Sequence, residues 1–359
     1  MLKSSVGTVR RYRSATQHLI DFAGEIPAHA ISADGFALFL RQREVSPNGH
    51  QNTPKRRLRD KGVRNILEIC RSLYAYANRA RHLPPYTENP FAVLSIDRMR
   101  IEDAKSIFVF DQALELGFLQ QADDWAFPIN FVLAKTGLRV GELTHLLIEE
   151  VDLNAGWLQI RNKPDLGWQI KTRNERSVPV IAEVVAILKH VIGNRTSGPV
   201  FLRPSFRSGN RARLEGDRQQ LAVELKSRTE TLSPPPLRER LIQIARTVWR
   251  DAGAIKVERV RISFMRTAAM AGHPQATCPK SWRHSMATLL QDANVDPLIR
   301  QITLGHKPTG AAGELGMTAV YTHTRPKTQR TEIERALRLW PESLAFSQLW
   351  LERQGCRPC

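Results

Sequence analysis

Acidic side chains are the scarce class in this 359-residue chain: 35 Asp and Glu stand against 53 Lys and Arg, a formal charge of +18 and a pI near 10.3. A field of that sign attracts polyanions, and counterion release from a nucleic acid would drive binding. A basic protein with no such partner is the alternative. Long apolar runs are also missing; none approaches the ~20 residues that span a bilayer, so no membrane partner is expected. The N-terminus has neither the apolar core nor the small-residue cleavage site of a signal peptide. Cysteine is sparse. Cys70 falls on an apolar helical stripe, Cys278 stands alone, and Cys356 and Cys359 form a Cys-x-x-Cys with no second pair for zinc. The carboxylates do not cluster as a two-metal nuclease requires, so neither metal nor cofactor is expected. A reducing cytoplasmic setting, close to the nucleoid, fits these absences, and no internal repeat is visible.

What is present is ordinary globular composition, 42% hydrophobic and 25% charged, in a chain long enough for two cores. The expected fold is mainly α with a small antiparallel β-sheet. Residues 1–100 read as an all-helical unit. Thr8 is a candidate N-cap ahead of Val9, Tyr12, Leu19 and Ile20, and a second short helix follows Ser32. Val63, Ile66, Leu67, Cys70, Leu73 and Tyr74 make the cleanest stripe. Just before that stripe runs a basic block, Lys55, Arg56, Arg57, Arg59, Lys61 and, one turn on, Arg64. Residues 1–100 hold 17 basic and 8 acidic side chains, a net +9 and half of the excess. That concentration points to a phosphate-gripping surface rather than a merely solvated face.

Pro84, Pro85 and Pro90 break any helix, so residues 83–106 read as a connection between units. Its length would let two domains close round a duplex. From 107 to about 345 a second unit follows, with a tail from 346 to 359. Within it, Asp111 is a candidate N-cap and Gly137 a C-cap, which sets Arg139 at the first turn of a helix with Glu142 three residues on. Trp157–Arg161 reads as a strand, and Trp168–Lys171 with Arg176–Val180 as the arms of a hairpin. Helices are expected at 181–192, 219–226, 237–252 and 331–339. Residues 255–277 read as irregular.

Five segments in order resemble the tyrosine recombinase (phage integrase) family. They are Thr136-Gly137-Leu138-Arg139-Val140-Gly141-Glu142-Leu143, Lys171-Thr172 with Arg176-Ser177-Val178-Pro179, Arg283-His284, Leu304-Gly305-His306 and Tyr321-Thr322-His323. The resemblance is strong from about 107 to 325. It implies a helical core-binding domain and a mixed α/β catalytic domain that breaks and rejoins DNA. Tyr321 would be the nucleophile, leaving a covalent 3′-phosphotyrosyl bond that conserves the bond energy and needs no cofactor. Arg139 and Arg283 would clamp the nonbridging oxygens, because a guanidinium keeps its proton and offers a planar fork. Lys171 would protonate the departing 5′ oxygen from a flexible hairpin, with Lys163 as the fallback. His306 would hydrogen-bond a nonbridging oxygen or orient the tyrosine, and Glu142 would hold the Arg139 guanidinium.

The sequence departs from the family in two places. Lys280 stands where a histidine is usual, as lysines do in type IB topoisomerases, and serves as a phosphate contact or leaves proton handling to His284. Thr309–Gly316 looks like an inserted loop before Tyr321. The partner implied is double-stranded DNA, bound as a homotetramer across two sites with a possible accessory DNA-bending protein. Type IB topoisomerase-like relaxation and a catalytically weakened DNA-binding relative are the alternatives. The C-terminal helical segment packs either on a neighbouring protomer or within the chain.

Overall fold

A computed structural model of the chain describes residues 6–46, 53–103, 106–207, 212–230, 232, 238–306 and 325–355. The chain divides into two compact units, Met1–Ser106 and Ile107–Cys359. In the first, α1 (Val6–Ala23), α2 (Ala33–Gln42) and α3 (Asp60–Arg79) enclose a core of Leu19, Phe36, Leu40, Val63, Leu67, Cys70 and Tyr74. Ser32 caps α2, its hydroxyl accepting from the Gly35 N–H at 3.1 Å. Thr8 lies inside α1 and is not its cap. The unit is not purely helical either. Strands β1 (Glu44–Val45) and β2 (Arg56–Arg57) pair antiparallel, Glu44 opposite Arg57. Residues beyond α3 fold back on this unit: Phe91 and Ile96 are buried in its core, with Phe91 edge-on to Phe36 at 6.0 Å. Burial of two large apolar side chains outweighs the extended character that three prolines impose.

The second unit opens with α4 (Gln112–Gln121), capped by Asp111, whose carboxylate accepts from Leu114 N–H at 2.8 Å. There follow α5 (Ala126–Thr136), the five-residue α6 (Val140–Thr144), and strands β3 (Val151–Asp152), β4 (Trp157–Ile160) and β5 (Arg176–Pro179). The three strands form one antiparallel sheet in sequence order, with Leu158 opposite Val178. Helices α7 (Ala182–Ile192), α8 (Pro204–Arg207), α9 (Arg218–Glu230), α10 (Arg238–Asp251), α11 (Val257–Met270), α12 (Lys280–Asp292), α13 (Pro297–Leu304), α14 (Pro326–Leu337) and α15 (Pro341–Gly355) complete it.

Two expectations change here. Residues 255–277 hold a regular helix, α11, whose Val260, Phe264 and Ala268 are buried at four-residue spacing among arginines that dilute the pattern. Trp168–Lys171 is not a strand: β5 pairs with β4, and the stretch between them is a loop. Side chains replace the missing ladder, since Asn162 accepts from Ile170 N–H at 2.9 Å and donates to Arg173 O at 3.1 Å.

The core that positions the site is aromatic. Trp282 of α12 stacks on Phe110 at 4.0 Å and meets Phe118 and Phe264 edge-on, and its Nε1–H donates to Asn130 Oδ1 of α5 at 3.0 Å. Each such ring pair adds about 1 kcal/mol beyond its buried area, so α12 is locked in rotation against α5. At the far end α15 packs within its own chain. Trp350 stacks on Phe127 at 4.7 Å, and Ser343 accepts from the buried Lys135, which also pairs with Glu115. The helix runs unbroken through position 346.

Candidate active site

α5 ends at Gly137 because the chain must turn left-handed there (φ +62°) and because a β-carbon would come within 2.8 Å of Leu304 and 3.2 Å of Met286. That close approach brings the ends of α5 and α13 together against the middle of α12. Arg139 follows two residues later as the N-cap of α6. Its backbone N–H donates to Glu142 Oε2 at 2.9 Å and its Nη1 to Oε1 at 2.8 Å. Glu142 thus takes the N-cap N–H of a helix that is only five residues long.

Glu142 also holds a residue that the sequence reading used only as a family marker. Arg176, at the start of β5, donates Nη2 to Oε2 at 2.7 Å, Nη1 to Oε1 at 3.1 Å, and Nε to the Thr303 carbonyl at 2.9 Å. Strand alternation gave the available signal: Arg176 shares the inward face with Val178, and a buried guanidinium must find partners. Gly305 lies against it, where a β-carbon would sit 2.8 Å from Nη1. Burial alone would raise the Glu142 carboxyl, but Arg176 and then Arg139 hold it below the usual carboxylate range.

Arg283, on the second turn of α12 and buried, donates to the Gly137 carbonyl at 2.8 Å and to the Leu304 carbonyl. Burial first, then the like charge of Arg139, push its pKa down to about 9, which leaves it charged at neutral pH. The carbonyls bring no counter-charge. Three guanidiniums thus gather with a single carboxylate, Glu142, among the described residues, so this part of the cluster carries surplus positive charge next to the protein surface.

The remaining candidates differ in placement. His306, exposed just past the Gly305 cap of α13, is held below the usual imidazole range by burial and by Arg283, Arg139 and Arg176. His284 is likewise lowered by burial, Lys280 and Arg283, and its Nε2 is buried with no hydrogen-bond partner among the described residues. Lys280, one turn before His284, is exposed at the first position of α12. Lys171 is exposed at a tight turn closed by Arg173 N–H to Ile170 O at 2.9 Å. Lys163, the fallback, is buried and paired with Glu150 at 2.8 Å. Tyr321 and Thr309–Gly316 lie outside the described residues. His306 and Pro326, which flank residues 307–324, line one cavity of about 560 Å³.

In the first unit Lys55, Arg56, Arg57 and Lys61 are exposed on β2 and the start of α3, whereas Arg59 is half-buried as the α3 N-cap. Arg64 pairs with Glu68 at 3.0 Å, which offsets its charge.

A profile of the phage integrase family matches residues 98–328, a span that holds every one of the proposed catalytic positions. The chain belongs to the phage integrase family. Among curated members, tyrosine recombinase XerA of Pyrococcus furiosus is 26% identical over 208 residues, which cover 58% of this chain and 53% of that protein. The chain therefore matches about half the length of that relative. The fold is shared with the Tn1549 transposon integrase in complex with transposon right end DNA (17% identity, TM-score 0.55, 93% of this chain and 94% of that one). It is shared too with a lambda integrase dimer bound to a COC′ core site (14% identity, TM-score 0.55, 85% and 89%).

Proposed function

We propose that this phage integrase family member is a site-specific DNA recombinase that cleaves and rejoins strands through a 3′-phosphotyrosyl intermediate. The observation that carries the reading is the pairing of Arg139 and Arg176 with the Glu142 carboxylate while Arg283, held on the Gly137 and Leu304 carbonyls, stands close by, a surplus of fixed positive charge that suits a phosphodiester. Tyr321 is the natural nucleophile, since the other four tyrosines (Tyr12, Tyr74, Tyr76 and Tyr86) all lie in the first unit. Its oxygen attacks phosphorus and the bond to the 5′ oxygen breaks. A neutral imidazole, His284 or His306, takes the phenol proton, which fits the lowering of both. Lys171 supplies a proton to the departing oxygen and leaves a 5′-hydroxyl. Arg139 and Arg283 hold the nonbridging oxygens, Lys280 makes a further phosphate contact, and Arg176 with Glu142 keeps the clamp in place.

Double-stranded DNA is the partner, in line with the transposon right end DNA and the COC′ core site bound by the Tn1549 and lambda integrases named above, and the Lys55–Lys61 block would grip its backbone. Assembly into a tetramer on two sites would use surfaces other than the inner face of α15, which packs on its own core. The test is trapping on a nicked duplex that lets the cleaved end diffuse away. Wild type should form an adduct that resists denaturant, and Tyr321→Phe should not. An equal adduct yield from Tyr321→Phe would assign the nucleophile elsewhere. A two-site exchange assay beside supercoil relaxation separates a recombinase from a relaxing enzyme.

A further inference from the structure

Helices α9 and α10 belong to a stretch with no assigned part in the chemistry, yet they grip the loop that joins β4 to β5. Arg218, the first residue of α9, closes a two-point fork on Asp165, Nε to Oδ2 at 2.8 Å and Nη2 to Oδ1 at 2.6 Å. Its backbone N–H donates to Glu149 Oε1 at 3.0 Å. Trp249 of α10 donates Nε1–H to the Leu166 carbonyl at 3.0 Å, and Leu166 is buried in a small core with Leu221, Val248 and Trp249. Gly167 turns left-handed (φ +67°) under α10, where a β-carbon would stand 2.7 Å from Ala245.

From the other side the same loop is pinned to the helix that follows Arg139. Trp168 stacks on His145 at 4.9 Å, and Lys163 lies over the Trp168 ring at 5.1 Å while paired with Glu150. Only after this double anchorage does the chain reach the exposed turn with Lys171, itself tied back through Asn162 to Ile170 and Arg173. The loop is therefore fastened at its base and carries Lys171 exposed at its tip.

We infer that α9 and α10 are a positioning brace for Lys171, with Arg218 and Trp249 as the residues through which they act. The inference rests on the reading of Lys171 as the donor to the leaving oxygen. A lysine side chain that must meet one oxygen at hydrogen-bond distance gains rate from a base held to within about half an ångström, and loses it when the base drifts. The brace acts on leaving-group protonation alone. It should leave DNA binding and the phosphate clamp untouched.

The experiment compares a scissile bond with its ordinary 5′ oxygen against one with sulfur in that place, whose thiolate leaves without a proton. Arg218→Ala and Trp249→Phe should slow single-turnover cleavage of the oxygen duplex about tenfold or more, cleave the sulfur duplex at the wild-type rate, and keep Kd for DNA within about twofold. Arg218→Lys, which keeps the charge but not the fork, should fall between. Trypsin should cut after Lys171 and Arg173 faster in both brace variants, a readout independent of activity. Equal slowing on oxygen and sulfur, or no slowing on oxygen, would overturn the brace. Lys171→Ala is the control for the underlying reading. If sulfur does not rescue it, Lys171 is not the proton donor, and the brace as stated falls with it. If sulfur rescues Lys171→Ala but not the brace variants, the donor stands and the brace alone fails. Should Arg218→Ala melt too low to assay, Trp249→Phe decides the matter, because it keeps an aromatic ring in the core while it removes the N–H donor together with part of the indole.

Discussion

Two buried glutamates eight residues apart do the same local job, yet their carboxyl pKa values are shifted in opposite directions. Glu142 accepts the backbone N–H of Arg139, and Glu150 accepts that of Leu147, each from three residues on. Glu142 then meets two guanidiniums with a third close by, whereas Glu150 meets one ammonium, that of Lys163. Accordingly burial wins at Glu150, whose carboxyl is pushed above the usual range, while the arginines win at Glu142 and hold it below. Lys163 is lowered by burial in its turn. The difference separates a balanced pair, which closes a core, from an unbalanced cluster, which has charge left over for an anion.

The largest effect expected from that contrast is on catalysis. Arg283→Ala should cut adduct formation about a thousandfold with DNA affinity within a few-fold, since it removes a fixed donor from the charge that builds in the transition state. A loss confined to binding would mean that the surplus charge recruits DNA and does nothing to the bond. Glu142→Gln comes next. It keeps an acceptor for Arg139 N–H but removes the charge that fixes two guanidiniums, so cleavage should fall about a hundredfold through loss of aim. Unchanged kinetics in that variant would reduce Glu142 to a cap.

On the balanced side the readout is stability. Lys163→Met strands Glu150 without its cation and should cost about 2 kcal/mol in denaturant unfolding. Adding Glu150→Gln, which preserves the cap on Leu147, should restore most of that loss. If the double variant is no more stable than the single, the pair is not the unit it looks to be.

The parts of this contrast that were legible in the sequence are the local ones. Gly137, Arg139 and Glu142 lie within six residues, so cap, turn and partner could be named together, and the mainly helical fold with a small sheet followed from apolar periodicity. Arg176 is 34 residues from the carboxylate it grips, and only its place on an inward strand face hints at the pairing. The burial of Lys163 and the exposure of Lys171 were equally hidden. They depend on Glu150 and Trp168 closing over one lysine, and on helices more than fifty residues downstream holding that loop. The extended reading of residues 168–171 failed because Asn162 satisfies the backbone that a strand would have paired.

The smallest effect sharpens the contrast where its two halves touch. His145 closes α6, donates Nδ1–H to Gly141 O at 2.9 Å, and lies between Trp168 and Trp249. Burial is the main cause that lowers its pKa to about 4, and the charges of Lys163 and Arg246 add to it. The unfolded chain, with an imidazole near 6.5, binds a proton more readily than the fold does across that interval. Stability from the neutral ring is therefore complete above about pH 6.5 and drains away as the pH falls toward 4. His145→Phe keeps a ring in the stack and cannot take up the proton. Its Tm should sit below wild type at pH 7, where the Gly141 contact counts, and the gap should close by about 5 °C at pH 4.5. Parallel acid-melting curves for the two proteins would mean that the junction between the unbalanced cluster and the balanced pair does not sense protons, and that His145 stays neutral or charged alike in both states.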